Sequence, residues 1–285
     1  MQQPPPKSDR GHRKGRRTGR RTPTGELLII TTAAPADVGP GALMSRAAEV
    51  MTASGCTFTR HLASLPHGSY LDRWGQAQGP GTGSADEPVE EVVRGAPQQA
   101  AARMAGCGRR VVRMGWSRGG CGPMVLSVRH APGSGLLLTD LVLDAGPLSP
   151  RSALRAGGEH SSARRRWNLA VRLLRGLAEG TDALYAGLGP EALLPLPEEL
   201  SRRAPSDPPC LWWVSARLRD ARGGDAGAAL AGQARTRSTR AGTLIGLYDP
   251  VRARGTADDD AQARLIGFLA GALPPQPRAI TVLEA

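Results

Sequence analysis

Apolar residues along this chain gather into short runs parted by Gly, Pro and Arg, and the runs alternate between two periods. Glu26–Thr32 (ELLIITT) is unbroken and β-branched, which predicts a buried strand ending in the small-residue loop Ala33–Gly41. A helix follows over Ala42–Ala53, with Leu43, Ala47, Val50 and Met51 on one face. Cys56–Leu65 predicts a second strand, and the Gly-rich stretch Gly75–Glu87 predicts a surface loop. A helix is expected over Val89–Met104, kinked at Gly95 and Pro97, then a strand over Arg109–Met114 that runs into Gly-Trp-Ser-Arg-Gly-Gly.

Further on, Leu136–Leu143 (LLLTDLVL) predicts a buried strand stopped by Asp144-Ala145-Gly146-Pro147. From Ser161 to Glu179, Trp167, Ala170, Val171, Leu174, Leu177 and Ala178 recur at helical spacing, with Arg164, Arg165, Arg172 and Arg175 elsewhere and Gly180 as the expected cap. Cys210–Leu218 and Gly242–Tyr248 predict strands, Asp258–Leu273 a last helix, and Ile280–Leu283 a short edge. Strands that alternate with helices predict an α/β domain with a mostly parallel central sheet and helices on both faces.

Composition adjusts this picture in two places. Phe, Tyr and Ile are scarce, so Leu, Val and Ala must supply most of the core. The net charge of +12 is concentrated at the start, where residues 1–24 hold Lys7, Arg10, Arg13, Lys14, Arg16, Arg17, Arg20 and Arg21 against Asp9 alone. That Pro/Gly/Arg-rich stretch has no apolar period, and it is expected to be a disordered basic tail ahead of one domain over 25–285. It lacks the apolar core of a signal peptide, and no run is long and apolar enough for a membrane span, so the expected location is the cytoplasm. The four cysteines have no C-x-x-C pairing and the histidines no zinc spacing, so no metal or cofactor is expected and the thiols are expected to be reduced and structural.

The candidate chemistry lies at Gly115-Trp116-Ser117-Arg118-Gly119, which fits G-x-S-x-G. In that motif a sharp strand-to-helix turn lifts a serine hydroxyl above a sheet. Asp144 follows 27 residues later at the end of a predicted strand, where an acid would belong.

With these residues the sequence resembles the thioesterase domains of polyketide and non-ribosomal peptide assembly lines, in the α/β-hydrolase superfamily. The likeness runs from about Leu27 to Leu273 and rests mainly on GWSRGG with LVLD. It implies Ser117 as nucleophile, Asp144 as acid, Thr32 and Arg118 as oxyanion amides, Trp116 as a pocket residue and residues 148–208 as a helical lid. It further implies a carrier-bound polyketide or peptide substrate and an acyl carrier protein as partner. Tyr248 occupies the place of the family histidine, and a phenol with pKa near 10 accepts a serine proton poorly. His160 in the lid and His67 in a loop are the alternative bases. Cys121-Gly122-Pro123 also departs from the family by interrupting the helix expected behind the nucleophile.

Three functional expectations follow. The first is a serine acyl hydrolase, transferase or cyclase; the second is a non-hydrolytic cyclase, dehydratase or pseudoenzyme using the same pocket. The third makes the basic tail central to a nucleic-acid-associated protein, and nucleic acid ranks below the carrier-bound substrate as a partner. Arg164–Arg166 with Arg172 and Arg175 are candidates for receiving an acidic carrier protein or its phosphopantetheine phosphate.

Overall fold

The computed structural model describes residues 27–65, 70–71, 77–78, 89–92, 96–99, 111–119, 121–131, 134–144, 160–190, 210–221, 235–247, 264–265 and 267–269. Its elements are β1 (Leu27–Pro35), a 3-10 turn (Ala36–Val38), α1 (Pro40–Ala53), β2 (Thr57–Leu65), β3 (Tyr70–Leu71), β4 (Ala77–Gln78) and β5 (Val89–Val92). These are followed by β6 (Val111–Arg118), β7 (Gly122–Ala131), β8 (Leu136–Asp144), α2 (His160–Gly180), β9 (Tyr185–Pro190), β10 (Leu211–Ser215), α3 (Ala216–Ala221), β11 (Arg235–Ser238) and β12 (Gly242–Gly246).

Ten strands form one sheet in the order β11-β12-β10-β9-β1-β8-β7-β6-β2-β5, and every pairing in it is antiparallel. This overturns the expected mostly parallel α/β-hydrolase sheet with helices on both faces. The reason lies in the connections. Residues 119–121 join β6 to β7, 132–135 join β7 to β8, and 239–241 join β11 to β12. Parallel neighbours need a crossover of a dozen or more residues, so links this short dictate hairpins.

Two longer connections carry α1 and α2. β1 and β2 point the same way with β8, β7 and β6 between them, and α1 makes that crossover. β8 and β9 also point the same way, with β1 between them, and α2 makes the second. β1 and β8 are antiparallel and their crossovers leave in opposite directions, so a half-turn about the sheet normal relates the two units. Crossovers of one hand related in this way put both helices on the same face.

On that face Leu28, Ile30, Met114, Trp116, Met124, Leu126, Leu141 and Trp213 meet Leu43, Met44, Ala47 and Met51 of α1 and Trp167, Ala170, Leu173, Leu174 and Leu177 of α2. Each fully buried large apolar side chain contributes roughly 1.5–3 kcal/mol. On the other face Ala33, Leu138, Tyr185, Trp212, Val214 and Ile245 pack with Leu218 of α3 and with Leu265 and Leu269. The two adjacent tryptophans of β10 thus enter opposite cores, as alternation along a strand requires.

α1 has Pro40 at its first turn, where the missing N–H is harmless. Its other end closes with paired bonds from Gly55 N–H to the Thr52 carbonyl and from Cys56 N–H to the Met51 carbonyl, with Gly55 left-handed at φ 75°. α2 closes the same way through Asp182, at φ 52°, and not through Gly180 as expected. Gly176 and Gly180 serve instead as the contact surface for α1, since a Cβ on either would lie 2.9 or 2.5 Å from a Val50 methyl.

Several expected elements are replaced. The helix expected from Val89 is a strand at its start, β5, with residues 97–99 helical. The helix expected behind Ser117 is β7, and β9 lies inside the span expected to be a lid. Tyr248, His67, the basic tail and the edge expected over Ile280–Leu283 fall outside the described residues, as does most of the last helix.

Candidate functional site

The GWSRGG segment builds a hairpin and not a nucleophile elbow. Ser117 is a regular position of β6, opposite Thr57 of β2 and Pro123 of β7. The chain turns at Arg118, whose carbonyl accepts the Cys121 N–H at 3.0 Å, and returns directly as β7. No helix N-terminus stands behind the serine. Trp116 is 1% exposed and packs against Phe58 with ring centroids 5.6 Å apart, as part of the core.

The other expected site residues are placed as follows. Asp144 ends β8 opposite Leu27. The row Trp116–Met124–Leu143 shows that Ser117 and Asp144 lie at the same end of the sheet, two strands apart, which is about 10 Å at ordinary strand spacing. Thr32 is interior to β1 with strands on both sides, so its amide faces a neighbouring strand and is not free for an oxyanion. Its hydroxyl lies 3.4 Å from that of Thr181 at the end of α2. His160 is the first residue of α2.

Arg118 has a different task. Its Nη1 donates to the Ser54 carbonyl at 2.6 Å, and its guanidinium carbon lies 3.9 Å from where a Gly55 Cβ would be. A cation bonded to the last carbonyls of α1 satisfies orphan acceptors and opposes the negative end of the helix dipole. Cys56, buried beside this corner, has its thiol pKa pushed up by burial, drawn down by Arg118 and pushed up again by Cys121.

A polar cluster that sequence reasoning missed lies on the opposite face of the same strands. Asp140 of β8 is 2% exposed, accepts the Thr31 hydroxyl at 2.7 Å and pairs with Arg129 Nε at 2.8 Å. The Ser127 hydroxyl donates to the Asp140 carbonyl at 3.5 Å. Thr31, Asp140 and Ser127 share one cross-strand row, with Arg129 two residues along β7. Burying a carboxylate this far is costly unless it is paired, and here it gains a cation and a hydroxyl donor. The available signal was the lone aspartate in the middle of LLLTDLVL, an inward position that demands a partner.

Among the described residues a further concentration of charge is the outer side of α2. Arg164, Arg165 and Arg172 are exposed, as is Asn168, while Arg175 bonds Glu179 through Nε at 2.8 Å. At 100° per residue all six positions fall on an arc of roughly 100°. Arg166 does not join them, because it lies half-buried on the inward side of the helix. From Arg164 to Arg175 the stripe is about 16 Å long. On α1, Arg46 and Glu49 are the exposed charges.

Among the described residues no three His, Cys, Asp or Glu side chains converge as metal ligands, and no helix is long and apolar enough to cross a membrane. No protein-family model, curated protein or solved structure matches this chain.

Proposed function

We propose that this protein is a non-hydrolytic binding module whose basic helix α2 docks against an acidic surface of a partner protein. The observation that carries this reading is the stripe Arg164, Arg165 and Arg172, exposed along one arc of a helix whose opposite arc is anchored in the core. Guanidinium groups are weakly hydrated and present paired donors that match carboxylates, so such a stripe favours an acidic protein face. Glu179 stands on the same arc, bonded to Arg175. That carboxylate suits a mixed protein surface and would oppose a continuous phosphate ladder. The hairpin at Ser117 supports binding over hydrolysis, since it supplies a serine without the turn that activates one. An acidic acyl carrier protein, the partner suggested by the motif likeness, is the first to test.

The experiment is a titration of the full chain with an acyl carrier protein, comparing wild type with R164E/R165E/R172E. Binding is expected to weaken at least about tenfold in the variant, in line with a few lost charge pairs, while its thermal midpoint stays unchanged. Equal affinity for both chains removes the docking reading. Binding of duplex DNA with a steep salt dependence, in place of the carrier protein, transfers the stripe to nucleic acid. A fluorophosphonate probe is expected to leave Ser117 unlabelled, and labelling there restores the hydrolase.

A further inference from the structure

The corner around Arg118 gathers two of the chain's four cysteines. Cys56 follows Gly55 at the closed end of α1, and continuing the Thr57–Ser117 pairing by one residue sets it beside Arg118. Cys121 lies three residues after Arg118, its N–H on the Arg118 carbonyl. Cys56 is part of the helix-side core and Cys121 packs against the same cluster, so both thiols lie on the α1 side of the sheet. Their exposure differs: Cys56 is buried, whereas Cys121 is half-exposed at the hairpin tip. Electrostatic coupling between the two thiols is part of what sets the acidity of Cys56. The two loop residues before Cys121 are glycines, and a side chain on Gly119 would meet nothing within 4 Å, so the tip is uncrowded there and its backbone is conformationally permissive.

We propose that Cys56 and Cys121 form an oxidant-responsive disulfide that ties the closed end of α1 to the β6–β7 hairpin. Hydrogen peroxide, or another two-electron peroxide oxidant, meets the accessible Cys121 first. The Cys121 thiolate attacks one peroxide oxygen, the O–O bond breaks, and a sulfenic acid and one water form. The Cys56 sulfur then attacks the sulfenic sulfur, the S–O bond breaks, and the second water leaves with the two thiol protons accounted for. The two sulfurs together have lost two electrons, and a dithiol reductant reverses the step. The inference is independent of the docking reading, since it uses no residue of the arginine stripe.

Peptide mapping of the full wild-type chain tests it. The reduced protein is treated with hydrogen peroxide, free thiols are blocked with iodoacetamide, and trypsin is applied without reduction. Cleavage after Arg46, Arg60, Arg118 and Arg129 puts Cys56 and Cys121 on separate peptides, 47–60 and 119–129. The expected product is those two peptides joined, lighter than their sum by two hydrogens, with Cys107 and Cys210 alkylated. Oxidation is also expected to raise the thermal midpoint, and dithiothreitol to return it. Recovery of Cys56 alkylated after peroxide, or linked to Cys107 or Cys210, overturns the proposal. Cys121→Ser, at the loop tip, is a second check: it abolishes the joined peptide if the pair is specific, and persistence of Cys56 crosslinking in that variant at the wild-type rate sinks it.

Discussion

Thr31, Asp140 and Cys56 show how much of the physics here rests on single buried groups. Thr31 donates its hydroxyl to a carboxylate that is almost wholly enclosed. Valine has nearly the same shape, so Thr31→Val removes the donor without opening a cavity. The expected cost is about 1.5–3 kcal/mol, the usual range for a hydrogen bond to a charged group, read as a lower urea midpoint at unchanged m-value. A loss under half a kcal/mol would mean that Arg129 alone satisfies Asp140. Cys56 adds a pH dependence. Burial raises its thiol above the ordinary value of 9.0, so the unfolded chain gives up the proton first as pH rises. The stabilisation is complete below the unfolded thiol value and is lost as pH climbs through the folded one. Wild type is therefore expected to lose stability relative to Cys56→Ala as pH rises above the ordinary thiol value, with no such divergence from pH 6 to 8. Parallel pH curves for the two proteins would show that the thiol does not titrate differently on folding.

Helix α1 and helix α2 meet where Gly176 and Gly180 face Val50. Alanine is the better helix former by about 1 kcal/mol, so Gly176→Ala should stabilise an isolated helix. Here its Cβ would lie 2.9 Å from a Val50 methyl, on a β-branched side chain that cannot swing away freely. Gly176→Ala is expected to destabilise by about 1–2 kcal/mol, and Val50→Ala to rescue it. Denaturation of the two single variants and the double variant forms a cycle, and simple additivity would place the steric contact elsewhere. The same elements show what was legible in the sequence. α1, β1, β2, β8, α2 and β12 were each visible in outline, because apolar spacing reports burial of one face directly. Pairing direction was not. LLLTDLVL and LWWVS are buried on both faces, and such runs read as parallel strands although here an antiparallel sheet has a layer on each side. Gly119-Gly120 could open an elbow or a hairpin, and Pro123, which a helix interior does not tolerate, was the signal that favours the hairpin. Of the candidate site, the arginines of α2 were legible as a helix face, while the Asp140 cluster depends on a register between residues 109 apart.

At the scale of the molecule, stability is set by position across the sheet. β1 joins residues near the start of the described chain to β8 and to β9, so both of its edges are hydrogen-bonded and both of its faces are covered. The α1 and α2 crossovers begin at β1 and β8, and opening either strand would detach a helix together with its apolar face. At the far ends β11 and β5 each have one neighbour among the described strands, and Thr236, Arg237 and Ser238 of β11 are exposed. A polar, arginine-bearing edge resists pairing with another sheet but adds little burial to hold its own bonds closed. Local opening free energies should therefore fall from the centre of the sheet outward. Hydrogen exchange followed by mass spectrometry is expected to show peptides covering Leu28–Ala34 and Leu137–Leu143 exchanging only through global unfolding, with rates that track the urea-derived stability. Peptides covering Thr236–Ser238 should exchange faster by orders of magnitude and without dependence on low denaturant. Equal protection of β11 and β1 would mean that the sheet opens as one unit, and the crossover helices would then not be what divides the protected centre from the labile edge.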